Sequence, residues 1–178
     1  KDIKNTFKFK TCHLLNDWES IGHSLAAYES SDISIIKEGT EFNDNSFFIG
    51  PGTGLGAALL IGEDNVIPTE IGNTTGLTKA LLKNYSIDNA DHFRTLEDVL
   101  SGKAISDIYE YKTGIRISSE DIVQRYGSDD EMANYVIDGF IKSLAETISD
   151  MALTFISGKG IYIAGGLIRS IFKIMDKE

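Results

Sequence analysis

The stretch Phe47-Phe48-Ile49-Gly50-Pro51-Gly52-Thr53-Gly54-Leu55-Gly56-Ala57-Ala58-Leu59-Leu60-Ile61 decides the fold of this chain. Its two ends are apolar and its middle is a glycine-rich turn, a pattern typical of two strands joined as a hairpin. Glycines at alternate positions also expose a bare backbone, so that several N–H groups can converge on one phosphate. Thr53 adds a hydroxyl donor. The turn is therefore either an ordinary hairpin tip or a phosphate-binding loop.

Residues 52–57 also fit a loose dinucleotide-binding pattern. That pattern requires a helix directly after the glycines. Residues 57–61 are instead followed by Gly62-Glu63-Asp64-Asn65, which indicates a strand and a turn. The sequence therefore argues against a dinucleotide-binding fold.

A second glycine junction follows the apolar residues 161–164, which run into Gly165-Gly166. The pattern predicts a buried strand that enters a helix, and apolar spacing predicts further helices over 95–111, 118–126 and 128–155. Ser101 is a candidate cap within the first of them, and Ser128 opens a capping box for the last. Strands mixed with helices in this way indicate an α/β fold. The Gly-Gly junction either brings a nucleotide close to the backbone or only packs the strand tightly against its helix.

The pair Asn16-Asp17 is the candidate for acid–base chemistry. Residues 13–15 are interpreted as the end of a short buried strand, and residues 16–27 as a helix that Asn16 or Asp17 caps. A carboxylate held at the end of a strand can accept a proton from a substrate hydroxyl. The alternative is that the pair only caps the helix.

Acceptor side chains form a second candidate set. A buried sugar needs a hydrogen-bond partner for each hydroxyl, and several acceptors around one ligand supply them. Such a set is available if the fold brings together Asn16, Asp17, Glu70, Asn73 and Glu97. Otherwise the glutamates are solvated surface residues.

Composition excludes several classes of protein. The net charge is −10, whereas nucleic-acid binding needs clustered Lys and Arg, so we expect no nucleic-acid partner. Cys12 is the only cysteine and the three histidines lack metal-ligand spacing, which argues against a disulfide framework or a zinc site. The apolar runs are too short to span a bilayer, so we expect no membrane association and a cytoplasmic location. Trp18 is interpreted as a core residue.

The order and spacing of these motifs resemble bacterial-type glucokinase over essentially the whole chain. The resemblance rests on Leu15-Asn16-Asp17, Gly50-Pro51-Gly52-Thr53-Gly54-Leu55-Gly56, Thr69-Glu70-x-Gly72, Glu97-x-Val99-Leu100-Ser101-Gly102 and Ile163-Ala164-Gly165-Gly166. The cysteine zinc motif of the repressor-type sugar kinases is absent.

The resemblance implies an α/β, ribonuclease H-like (actin-like ATPase) sugar kinase of two domains around a cleft. Residues 1–27 would be the end of the small N-terminal domain, and residues 28–178 most of the large C-terminal domain. It implies phosphorylation of glucose by ATP with Mg²⁺, the first step of glycolysis, and a homodimer is a further expectation.

The resemblance also implies roles for individual residues. Asp17 would be the catalytic base, and the hexose hydroxyls would be bound by Asn16, Asp17, Glu70, Asn73 and Glu97. ATP would be bound by Gly52, Thr53, Gly54, Gly56, Gly165 and Gly166. No metal ligand is assigned.

The chain departs from the family pattern at three places. Asn73 stands where the family usually has histidine, and Ile71 stands where it usually has glycine. The first phosphate loop, Asp-x-Gly-Gly-Thr, is absent, and so are the closing C-terminal helices, so we expect a partial chain that is inactive alone. Two alternatives therefore stay open: a kinase for another hexose or an amino sugar, and a non-catalytic sugar- or nucleotide-binding protein on the same fold.

Overall fold

The chain folds as helices on both faces of one mixed sheet, and a computed structural model describes residues 2–88 and 91–175 apart from the side chain of Ser30. The strands are β1 (Asn45–Pro51), β2 (Leu55–Ile61), β3 (Asn65–Thr69) and β4 (Gly160–Ile163). The helices are α1 (Ile3–Phe7), α2 (Asp17–Ser24), α3 (Thr78–Leu82), α4 (Gly102–Thr113), α5 (Ser119–Arg125), α6 (Glu131–Phe155) and α7 (Gly166–Met175). Short 3-10 turns cover Leu25–Ala27, Ser30–Asp32, Ile71–Asn73 and Lys83–Tyr85.

The sheet has the order β3-β2-β1-β4. β1 pairs antiparallel with β2, and β2 pairs antiparallel with β3. After the helices, the chain returns to the sheet as β4, which pairs parallel with β1. The predicted hairpin and the α/β fold are confirmed, and a strand rather than a helix follows the glycine-rich turn.

Both faces of the sheet are covered, which explains why β1 is buried from Ser46 to Pro51 and apolar from Phe47. Alternate side chains of a strand point to opposite faces. Phe47 and Ile49 therefore join the large core beneath α4–α7, whereas Phe48 joins a smaller cluster on the other face. α2 covers that second face through Trp18 and Ile21. The sheet thus lies between α2 and the helical layer.

Local capping signals account for the start of most helices. Asn16 caps α2, as one of the two predicted caps, and forms a reciprocal capping box with Glu19. Ser118 caps α5. The cap of α6 is Asp130 rather than Ser128, because the Asp130 carboxylate accepts from the Ala133 amide at 3.0 Å. The prediction of Ser128 as the cap is therefore wrong, but the helix does begin in the predicted segment, at Glu131.

The helix predicted over residues 95–111 begins later, at Gly102 with Ser101 as its cap. Residues 95–100 are turns, and the helix cannot run on through Ser101, whose backbone is extended with φ −154° and ψ 170°. The amides of Leu96 and Glu97 donate to the carbonyls of Thr74 and Gly72 across the chain. The difference matters because Glu97 is a candidate ligand.

The strand predicted at residues 13–15 is wrong. Those residues are irregular, and Leu14 is 87% exposed. The alternating segment Phe7-Lys8-Phe9-Lys10, which favoured the strand, begins at the last residue of α1. A strand is stable only when a neighbouring strand takes its hydrogen bonds. Within the described ranges, no strand lies beside residues 11–16.

β4 is half-buried rather than buried, because it is the edge strand of the sheet. Over residues 2–88 and 91–175 we find no helix that combines the length and apolar character needed to cross a bilayer. The two-domain division at residue 27 stays a prediction. Residues 1, 89–90 and 176–178, which the predicted domains include, lie outside the described residues.

Candidate active site around the glycine-rich loop

The tip of the β1–β2 hairpin, residues 52–54, is held in a fixed shape from two sides. The Gly52 amide donates to the Gly54 carbonyl at 2.8 Å, which closes the tip. The Gly102 amide at the start of α4 donates to the Gly52 carbonyl at 2.6 Å, which ties the tip to the helical layer. Within the described residues, the amides of Thr53 and Gly54 donate to no protein atom. These two amides and the exposed Thr53 hydroxyl are the donors left for a phosphate.

The second glycine junction lies beside the first, because β1 and β4 are parallel neighbours and both end at the same edge of the sheet. The Ala164 amide donates to the Ile49 carbonyl at 3.0 Å. Gly165 has a φ of +122°, a conformation that favours glycine, and a Cβ there would lie 3.6 Å from the Pro51 carbonyl oxygen. Gly165 and Gly166 are exposed, so their backbone is open to a ligand next to the loop.

Glu97 reaches the loop from a distant part of the chain. The Leu55 amide donates to the Glu97 carboxylate at 3.4 Å, and a Cβ on Gly54 would lie 2.7 Å from the same oxygen. The Glu97 amide donates to the Gly72 carbonyl at 2.9 Å. The half-buried Glu97 thus joins the hairpin to residues 70–73.

Glu70 and Asn73 lie at the two ends of the short turn that contains Gly72. The Asn73 side-chain amide donates to the Glu70 carboxylate at 3.0 Å, and both side chains are exposed. Gly72 is buried, and a Cβ on it would lie 2.6 Å from the Leu55 carbonyl oxygen. This close approach holds Glu70 and Asn73 against the base of the glycine-rich loop.

Asn16 and Asp17 lie at the N-terminus of α2, and the Trp18 indole beside them packs against Gly50 and Gly56. The Asn16 and Asp17 side chains both accept from the Trp18 amide, at 2.8 and 2.9 Å. The pair therefore does cap the helix, as the alternative interpretation of the sequence predicted. It leaves the Asn16 side-chain N–H₂ group and the second Asp17 oxygen exposed, so capping and ligand binding are compatible.

Asp98 shapes the turn that presents Glu97. Its carboxylate accepts from the amides of Arg94 and Thr95, both at 3.0 Å, and from the Thr95 hydroxyl at 2.9 Å. Burial alone would raise the pKa of Asp98, but the Thr95 and Arg94 hydrogen bonds outweigh it and hold the pKa below its ordinary value. The carboxylate therefore stabilises the folded turn.

We expect Asp98→Ala to lower the free energy of unfolding by about 1 kcal/mol at neutral pH, because side-chain caps of this kind contribute that much. A carboxyl group whose pKa is lowered by folding adds stability above its unfolded pKa and loses it as the pH falls through its folded pKa. The difference between wild type and variant should therefore shrink below about pH 4. Urea unfolding at pH 7 and pH 3 measures it. Asp44→Ala at an exposed site is the control, and an equal pH response of both variants would contradict the role of Asp98.

The structure thus brings Glu97 and the Gly165-Gly166 junction to the hairpin. It links Asn16 and Asp17 to the hairpin through Trp18, and Glu70 and Asn73 through Gly72. Residue types and spacing alone miss three residues that build the site, namely Trp18, Gly72 and Gly102. The signal that could have found Trp18 is its place directly after the Asn-Asp pair. Gly72 and Gly102 stand in the glucokinase-like motifs, but their contacts are with chain segments distant in sequence, which no local pattern shows.

Known proteins resemble this chain in sequence and in fold. The glucokinase family model matches residues 1–178. A glucokinase-like protein of Xylella fastidiosa is 27% identical over 171 residues, which is 87% of this chain and 51% of that protein. The crystal structure of a glucokinase from an Antarctic psychrotroph has a TM-score of 0.78 at 24% identity, covering 98% of this chain and 59% of that one. A ROK family glucokinase from Streptomyces griseus, in complex with glucose and AMPPNP, has a TM-score of 0.52 at 18% identity, covering 76% and 51%.

These similarities confirm the predicted ribonuclease H-like sugar-kinase fold. The chain spans about half the length of the curated relatives it matches. Because the family model matches every one of the 178 residues, the chain belongs to the glucokinase family.

Proposed function

We propose that this chain is the sugar-binding and phosphate-loop part of an ATP-dependent kinase that converts glucose to glucose 6-phosphate. The observation that supports this most is the convergence on one loop of an open phosphate cradle and several hydroxyl acceptors. Thr53 and Gly54 supply free donors, while Glu70 and Glu97 supply acceptors within the same cluster of contacts. A binding site for one phosphate alone has no need of the carboxylates.

In the proposed reaction Asp17 is the base. Its carboxylate accepts the proton of the sugar hydroxyl while the hydroxyl oxygen forms a bond to the γ-phosphorus of ATP. The bond from that phosphorus to the bridging oxygen breaks, and ADP leaves with the electron pair. Asp17 then returns the proton to solvent. Asn16, Glu70, Asn73 and Glu97 orient the sugar, and the amides of residues 53–54 bind phosphate oxygens.

The nucleotide base is proposed to lie at the second glycine junction, Gly165-Gly166, whose exposed backbone adjoins Pro51. The AMPPNP complex of the Streptomyces griseus relative supports ATP as the phosphate donor. Gly56 is half-buried under Trp18, so its proposed contribution to the loop is structural rather than a direct phosphate contact.

In the proposed function, magnesium binds together with ATP. Over residues 2–88 and 91–175, no group of three or more His, Cys, Asp or Glu is arranged to hold a metal ion. These residues therefore do not fit a resident metal centre, and no step is assigned to one. Cytoplasmic location and a homodimer are also part of the proposal, supported by the resemblance to glucokinases.

A coupled ADP-release assay on the full-length protein tests the proposal, with magnesium-ATP and a panel of hexoses and amino sugars. We expect ADP release that depends on glucose. No turnover with any sugar, from protein shown to be folded, would contradict a kinase and favour the non-catalytic binding protein.

A second candidate, a kinase for another hexose or an amino sugar, is favoured by the contact between Asn73 and Glu70. The Asn73 N–H₂ group donates to Glu70, which leaves its carbonyl oxygen as an acceptor for the ligand. An acceptor at this place suits an amino group as well as a hydroxyl. Turnover with such a sugar in the same assay would keep the kinase and change its substrate.

We expect Asn73→Ala to raise the KM for the preferred sugar about tenfold with little change in kcat, because one hydrogen bond to the ligand is lost. Asn73→His should restore binding and shift preference toward glucose. Steady-state kinetics on the sugar panel measures both effects. Asn65→Ala, an exposed position outside the site, is the control. An unchanged KM in Asn73→Ala would remove Asn73 from the sugar site.

A further inference from the structure

The Trp18 indole lies on a pair of glycines at the base of the phosphate loop. Gly50 and Gly56 are direct partners in the β1–β2 register, one pair below the Pro51–Leu55 pair that closes the hairpin tip. A Cβ built on Gly56 would overlap the pyrrole ring of Trp18. A Cβ built on Gly50 would overlap the six-membered ring of Trp18 and also the Ala164 carbonyl oxygen. The indole therefore fills the side-chain space at Gly56, and at Gly50 it shares that space with the Ala164 carbonyl.

This contact joins the two chemical halves of the site. Trp18 directly follows Asp17 at the start of α2, and the glycine pair lies one residue pair below the loop that carries Thr53 and Gly54. The remainder of the ring packs in the smaller apolar cluster with Phe48. Since an indole is rigid and packed protein interiors yield little, a shift of the hairpin is transmitted to the start of α2.

Phosphoryl transfer depends on alignment of the base, the hydroxyl and the phosphorus, and a misplacement of about 1 Å can cost a hundredfold in rate. We propose that Trp18 is a positioning residue that sets Asp17 in register with the phosphate loop, and that Gly56 is a glycine because the indole rests on it. This inference rests on the proposed kinase function.

A different explanation of Gly56 is that a phosphate approaches its backbone directly. The two explanations differ in what a methyl group would do. If the indole is the reason, Gly56→Ala is harmful only while Trp18 is present. If phosphate is the reason, Gly56→Ala weakens ATP binding whichever side chain stands at position 18.

The first measurement compares Trp18→Ala, Trp18→Phe and Ile21→Ala in the full-length protein. Ile21 packs in the same apolar cluster from the same helix, so its truncation removes packing without touching the loop glycines. We expect Trp18→Ala to lower kcat about a hundredfold with the KM for ATP changed by less than about threefold. Trp18→Phe should recover most of the rate. Ile21→Ala should lower the urea midpoint but leave kcat near the wild-type value.

The second measurement places Gly56→Ala in the wild-type and Trp18→Phe backgrounds and in Trp18→Ala. In the wild type we expect a loss of kcat comparable to that of Trp18→Ala. In the Trp18→Ala background the added methyl should change kcat by less than about threefold, because the effects of residues in contact are not additive. If Trp18→Ala does not fold, the Trp18→Phe background still allows the comparison with the wild type.

The outcomes separate the two proposals. Wild-type protein without turnover on any sugar overturns the kinase and the positioning role together. Active wild type with Trp18→Ala within about threefold of its kcat overturns the role of Trp18 alone. If Gly56→Ala raises the KM for ATP by the same factor in every background, the indole is not the reason for glycine at position 56.

Discussion

Asp17→Asn is expected to lower kcat for sugar phosphorylation by about 10²–10⁴-fold in the full-length protein, the range that general-base catalysis contributes. The asparagine keeps the size of the side chain and can still accept from the Trp18 amide, so α2 retains its start. What it loses is the ability to take the hydroxyl proton. ATP affinity should be nearly unchanged, because the loop donors at residues 53–54 belong to other elements. Steady-state kinetics together with equilibrium ATP binding measures both quantities.

Glu19→Gln is the matched control, since it removes one negative charge from the same turn of α2 and keeps an acceptor for the Asn16 amide. We expect its kcat to stay within about threefold of wild type. Similar losses of kcat in both variants would show that the negative charge at the start of α2 matters, rather than proton transfer to Asp17. Full turnover in Asp17→Asn would remove Asp17 from the role.

Phe47→Ala is expected to lower the free energy of unfolding by about 3–5 kcal/mol, the usual cost of truncating a buried phenylalanine. Phe47 is 0% exposed, and its ring stacks on Phe155 with centroids 4.9 Å apart. The contact joins β1 to the last turn of α6, so the variant leaves a cavity between the sheet and the helical layer. Urea unfolding followed by circular dichroism measures the change.

Phe42→Ala is the control for Phe47→Ala, because Phe42 is 70% exposed and its truncation leaves no buried cavity. We expect a change below about 0.5 kcal/mol for this variant. A loss below about 1 kcal/mol in Phe47→Ala would mean that β1 is not the centre of the core described above.

Much of the helical structure follows from local signals that the sequence displays. Asn16 and Ser118 mark helix starts as predicted, because a cap satisfies free amides within the same turn. Ser101 is a cap as predicted, although its helix was predicted to begin at residue 95. The glycine-rich hairpin was predictable for a similar reason, since two apolar runs and a tight turn leave few other arrangements. The nature of the fold as α/β was therefore determined by the sequence itself.

Errors arose where the outcome depends on partners distant in the chain. Residues 13–15 follow the alternating segment Phe7-Lys8-Phe9-Lys10 but have no neighbouring strand within the described ranges. Residues 95–100 have helical spacing, yet the extended backbone of Ser101 interrupts the helix. The amides of Leu96 and Glu97 donate instead to Thr74 and Gly72 across the chain.

The candidate site shows the same division. The residue types of a sugar kinase could be read from the sequence in their order, from Asp17 to Gly166. Only the tertiary structure brought Glu97 to the Leu55 amide, across 42 positions, and set Gly165 beside Pro51. It also separated the loop positions with open amides from Gly56, which lies under Trp18. Glycine looks alike in a sequence whether a ligand or an indole lies against it, because both need only the absence of a side chain, and packing decides which one is there.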